Sequence, residues 1–152
     1  MSWLSIALIV VIAQWIALIF MIRNWKHDDS RSMTLSQHAV QTRGSRAYYR
    51  VLWTILLPLF YGYLVFELSD KIVHQALYLV LVNLACVLML VAAYVAEVGG
   101  VRSIIHRLAA FSMATLMLPN VFLIALSSDV TTFARIFAVF ATFFLAEGIR
   151  SE

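Results

Sequence analysis

The chain reads as an all-α integral membrane protein, a helical bundle of about five transmembrane helices with the N-terminus outside and the C-terminus inside. Three observations lead to this. Five apolar stretches occupy most of its 152 residues. The composition is 63% hydrophobic and only 12% charged, with a mean hydropathy of +0.91, whereas a soluble domain carries about 25% charged residues. The basic residues are also unevenly placed. Arg23, Lys26, Arg31, Arg43, Arg46, Arg50, Arg102, Arg107 and Arg150 fall on one side of the predicted bundle, and Lys71 and Arg135 on the other. Cytoplasmic loops are enriched in Lys and Arg, which sets the orientation.

The predicted spans are 2–22, 48–68, 73–95, 104–126 and 133–146. Crossing about 30 Å of hydrocarbon takes about 20 apolar residues. The first four meet that length; the fifth is shorter and carries Arg135. Span 1 lacks a basic stretch before it, and Arg23, Asn24 and Lys26 follow where a cleavage site would stand, so it reads as a retained helix rather than a signal peptide. Trp3 and Trp25 bracket it at the two interfaces. The polar stretch 24–47 is the one long connection, on the cytoplasmic side of a single transmembrane domain spanning 1–152. The stretch reads as a solvated linker carrying topogenic charges; the other reading is a short interfacial helix over 34–42, ended by Gly44.

Span 2 contains Pro58 and Gly62, and a mid-span proline is a kink candidate. Glu67, Asp70 and Lys71 make a tight outer turn, so spans 2 and 3 form a hairpin. Gly99 and Gly100 make the cytoplasmic turn into span 4, which carries Pro119. Ser127, Ser128 and Asp129 turn the chain into span 5. No internal repeat or low-complexity segment is read. Cys86 is the single cysteine, so no internal disulfide forms; a lone mid-span Cys is ordinarily a small packing residue.

Polar groups inside a bilayer are costly and turn toward other helices. At 1.5 Å per residue, Gln14 and Asn83 lie at a similar depth, roughly 16–18 Å from the outer surface, and Asn120 and Arg135 both lie about 10 Å from it. Each pair is expected to bond as glue between helices. The other reading is a polar path lined by these four residues, as in a small oligomeric transporter or channel. Ala76, Asn83, Cys86, Ala93 and Glu97 form a small-and-polar stripe on span 3. Ala134, Ala138 and Ala141 form a small-residue face on span 5, suited to packing against a helix or another subunit.

His74 and His106 open spans at opposite membrane surfaces, about 30 Å apart, and cannot share a haem. His38 and His106 lie on the same side, and could share a cofactor if the loop folds over the bundle. No zinc spacing, no HExxH and no nucleophile–base pair is present, so no metal site or catalysis is expected.

The segment Ser103-Ile104-Ile105-His106-Arg107 resembles the Ser-Ile-x-His-Arg segment of the succinate dehydrogenase cytochrome b subunit. That resemblance implies an electron-transport membrane anchor in which Ser103 and Arg107 contact quinone. The family has three spans and a haem-ligating histidine on a later helix; no histidine follows His106, so the likeness does not carry over a haem. The hydropathy layout of 36–150 is similar to the DRAM-like superfamily of multi-span proteins, which usually have six spans. It shares the polar serine-containing loop after helix 1, the hairpin, the histidine opening a later helix and the glycine–basic end.

The functional expectation is a non-catalytic multi-pass protein of a bacterial or archaeal cytoplasmic membrane, an accessory subunit of a larger membrane complex. Its partners are the lipid bilayer and other membrane subunits. Anionic headgroups and topology account for the basic charge without nucleic acid. The alternatives are a quinone-contacting redox anchor and an oligomeric transporter or channel.

Overall fold

The computed structural model describes residues 2–25, 39–95, 99–132, 134–136 and 138–139. These form four long helices: α1 (Trp3–Asn24), α2 (Arg43–Tyr63), α3 (Gln75–Tyr94) and α4 (Gly100–Leu126). A π-helical turn (Leu64–Leu68) and a 3-10 turn (Ser69–Lys71) continue α2. All four helical segments are long and apolar enough to cross a membrane, and only 17–28% of each apolar window is buried. Most of their apolar surface therefore faces outward, as it can when lipid replaces water. Thr132, Ala134, Arg135, Ile136, Ala138 and Val139 are helical, but the rest of the expected fifth span, with Ala141, lies outside the described residues.

The helices alternate in direction and pack as two antiparallel hairpins, α1 on α2 and α3 on α4, which meet along a slighter α2–α3 seam. The expected 2–3 hairpin exists in chain order, but its helices share less contact than either of these pairs. One core cluster holds Leu64, Leu68, Ile72, Tyr78, Val82, Leu123 and Val130, near the end that carries the α2–α3 turn. A second joins Leu18, Met21 and Ala39 to Trp25, Tyr48, Tyr49 and Leu52 at the basic end.

Helix α2 starts five residues before the expected 48. Thr42 is its N-cap: its hydroxyl accepts the Ser45 N–H at 3.0 Å, and Ser45 Oγ accepts the Thr42 N–H at 3.1 Å. This is a capping box with serine in the third helical position instead of the usual Glu or Gln. Thr42 and Gly44, which would end the interfacial helix of the second reading, instead begin a spanning one, and residues 43–47 leave the loop for α2. At the other end of α3, Gly99 (φ 90°) and Gly100 (φ 58°) take left-handed conformations that permit the tight turn into α4.

The two hairpins share a pattern that composition conceals. Thr42, Ser45, Arg46, Thr54, Leu57 and Pro58 of the first correspond to Ser103, His106, Arg107, Thr115, Leu118 and Pro119 of the second, each pair 61 residues apart. Both helices run through their prolines. Proline has no N–H, so the Thr54 and Thr115 carbonyls receive no bond from four residues on. Both threonine hydroxyls bond back to the preceding turn, Thr54 to the Arg50 carbonyl at 2.7 Å and Thr115 to the Phe111 carbonyl at 2.9 Å. Ser45 and His106 are both buried. Both reach a carbonyl of the segment before their own helix.

The turns at the end opposite the basic one are locked by Ser127, which is fully buried. Its hydroxyl donates to the Leu123 carbonyl at 2.7 Å and accepts the Val73 N–H at 2.9 Å, tying the α2–α3 connection to the end of α4. Ser127→Ala leaves the Val73 N–H unsatisfied and is expected to cost about 1–3 kcal/mol, read as a lowered melting temperature of the detergent-solubilised chain. An unchanged melt would show that the link is not needed.

Candidate functional site at the basic end

The richest polar constellation gathers around the C-terminus of α3, where the last backbone carbonyls of a helix lack intrahelical donors. Two neighbouring helices supply donors. From α4, the buried His106 places Nδ1 2.8 Å from the Ala92 carbonyl and 2.9 Å from the Val95 carbonyl. Carbonyls only accept, so Nδ1 carries the proton. From α2, Arg50 Nη2 donates to the Tyr94 carbonyl at 2.8 Å, and its guanidinium lies 5.6 Å from the centre of the Tyr94 ring. Thr54 Oγ1 and Tyr94 Oη lie 2.6 Å apart. Cationic donors at a helix C-terminus also complement its dipole.

A groove of about 410 Å³ opens beside this cluster, lined by Ala47, Arg50, Val51, Thr54 and Ile55 of α2 and by Tyr94 of α3. It lies on the α2–α3 seam. Arg50 carries five N–H donors and makes one hydrogen bond among the described residues; its Nε is buried with no partner there. In the sequence Arg50 shows only as one of several topogenic charges. Its place in a groove depends on α3 ending at the same level.

Ser103, His106 and Arg107 fall within one turn of α4. His106 turns inward onto α3, Ser103 is half-buried and Arg107 is exposed. With Nδ1 committed to two carbonyls, His106 has a structural task that the motif alone does not reveal. His38 lies outside the described residues, so a pairing of His38 with His106 has no described geometry. Among the described residues no three of His, Cys, Asp and Glu gather into a cluster able to hold a metal ion.

The intramembrane polar residues do not pair as their depths suggest. Asn83 faces outward from α3, accepts the Tyr61 hydroxyl at 2.8 Å and donates to the Leu79 carbonyl at 2.7 Å. Gln14 has no hydrogen bond among the described residues, and the main neighbour of α1 is α2, which separates Gln14 from α3. Arg135 Nε donates to the Ala125 carbonyl at 3.0 Å, closing the last turn of α4, rather than to Asn120. Asn120 is buried and donates to the Leu116 carbonyl at 3.1 Å, and its Oδ1 has no partner among the described residues. Depth along the membrane normal was comparable within each pair, but lateral helix order, which depth does not encode, decided the partners.

The buried face of α3 is Tyr78, Val82, Ala85, Ala92 and Ala93. Of the expected stripe, Ala93 is on this face, Cys86 packs half-buried against the core, and Ala76 and Asn83 are exposed; Glu97 lies outside the described residues. Ala134 packs on the core cluster and Ala138 is buried, so the described part of the small-residue face is turned onto the bundle.

At the opposite end of the molecule Glu67, which the sequence marks only as part of a turn, has Oε2 accepting the Leu4 N–H at 2.7 Å. A carboxylate here satisfies one of the free N–H groups at the start of α1 and complements its dipole. No family model matches the sequence, and no curated protein or solved structure is significantly similar to it.

Proposed function

We propose that this chain is a non-catalytic multi-pass subunit of a larger membrane complex. In this reading it has five spans, the fifth over 133–146, with the N-terminus outside and the basic end in the cytoplasm. One observation carries the reading. Five of the polar side chains described inside the spans bond to the protein's own backbone, while its lateral faces are apolar and open. His106, Arg50, Arg135, Asn83 and Asn120 each satisfy a carbonyl. By contrast Ile12, Trp15 and Ile16 on α1, and Val101, Ile104 and Leu108 on α4, are all at least 60% exposed. Two hairpins joined by a slight seam present a broad surface on which other transmembrane helices can pack.

The test is purification from native membrane in mild detergent, followed by size exclusion and mass spectrometry of the particle. A stoichiometric assembly with other membrane subunits is expected; a lone polypeptide would refute the role. Quinone contact at Ser103 and Arg107 rests on the short sequence likeness alone. Unchanged quinone binding by Arg107→Ala would remove it.

A further inference from the structure

The α2–α3 groove joins three features that one kind of ligand satisfies together. Its headward part is cationic. Arg50 lines it, α2 begins with Arg43 and Arg46 and has no acidic residue in its first turn, and none of these arginines has an ion pair among the described residues. Positive side chains at the positive end of a helix dipole repel it, which favours an anion beside them. Its wall carries further polar groups, the Thr54 and Tyr94 hydroxyls, at the level where α3 ends. Beside these on α2, Val51 and Ile55 are both more than half exposed and give the groove an apolar side.

We infer that this groove is a binding site for an anionic phospholipid. The phosphate sits against the Arg50 guanidinium beside the Thr54–Tyr94 pair, whose two hydroxyl protons go to the Arg50 carbonyl and to Thr54 Oγ1, and an acyl chain lies along Val51 and Ile55. A guanidinium with free N–H groups pairs a phosphate through two parallel charge-assisted hydrogen bonds. The buried Nε has no partner among the described residues. A headgroup with net negative charge satisfies the surplus of the α2 N-terminus, which a zwitterionic one does not. The inference rests on the membrane-spanning reading of the four helices and not on the subunit role.

The test is native mass spectrometry of the full chain released from micelles doped equally with phosphatidylglycerol and phosphatidylcholine. The wild type is expected to retain one phosphatidylglycerol with about tenfold preference, the worth of one good bidentate contact. Arg50→Ala is expected to lose that preference, and Arg23→Ala, in the last turn of α1 and outside the groove, to keep it. Equal retention of the two lipids, or an unchanged preference in Arg50→Ala, would overturn the inference. So would displacement of the lipid by millimolar inorganic phosphate, which would mark a free-phosphate site. Should Arg50→Ala fail to fold, Ile55→Trp fills the apolar side and leaves the arginine in place. Loss of the lipid is then the expected result, and undiminished retention overturns the inference. A chain that stays soluble without detergent would refute the membrane reading itself, separately from the lipid site.

Discussion

Replacing His106 by alanine is expected to lower the stability of the solubilised protein by about 1–3 kcal/mol from the unsatisfied carbonyls alone, with loss of a buried ring adding to it. The imidazole joins α4 to the last turn of α3 through two carbonyls, at 2.8 and 2.9 Å, from a position only 7% exposed. Those carbonyls sit at a helix end, where the last carbonyls lack intrahelical donors, and water has poor access to a site this buried. The measurement is thermal unfolding in detergent of the wild type, His106→Ala and His106→Gln. Glutamine retains a donor and should recover part of the loss. If alanine melts with the wild type, the histidine is not holding the hairpin. If glutamine is as damaging as alanine, shape rather than the donated hydrogen bond matters.

The second large effect lies at the other end, where Gly62 lets α2 pass under the Trp3 ring. A Cβ built at position 62 would stand 2.3 Å from Trp3 Cζ3 and 2.7 Å from Cη2, closer than any real contact. Gly62→Ala must therefore push the indole off its seat. Trp3 also stacks on Phe66, with ring centres 5.5 Å apart, and the adjoining Leu4 N–H is bonded by Glu67. Displacing the ring strains the whole α1 N-terminus. Overpacking of this kind costs about 1–3 kcal/mol, with the α1–α2 contact loosened first. The decisive variant is the double substitution Gly62→Ala with Trp3→Ala. If the clash is the cause, the double variant suffers less than the two single losses combined. Simple additivity would sink the explanation.

The functional consequence of both contacts is the same. Each holds a hairpin shut at one surface, which leaves the α2–α3 seam as the place where the fold is open. The groove with Arg50, Thr54 and Tyr94 lies there because the tightest packing of α2 and of α3 is elsewhere, against α1 and α4 respectively.

Much of this architecture is legible in the residues. Apolar runs of span length, Trp3 and Trp25 at the ends of α1, and the Gly99–Gly100 turn all read directly, because hydrophobic length and left-handed backbone are local properties. The candidate site was less legible. Arg50 carries no mark that distinguishes it from Arg43 or Arg46 until α3 ends beside it. Depth alone matches Asn83 with Gln14, whereas its amide oxygen accepts from Tyr61, because α3 packs beside α2 and not mainly against α1. Thr42 does not read as the start of a helix, because its capping partner is Ser45, not a glutamate.

By itself, then, the sequence determined that this chain makes long helices with apolar surfaces and carries its positive charge at one end, since length, hydropathy and charge are summed along the chain. Tertiary structure alone decided which helices pair, which carbonyls His106, Arg50 and Arg135 satisfy, and where the bundle stays open. Those outcomes depend on the lateral order and rotation of the helices. Lateral order and rotation are fixed by side-chain packing such as Gly62 beneath Trp3, and a one-dimensional pattern of hydrophobicity contains neither.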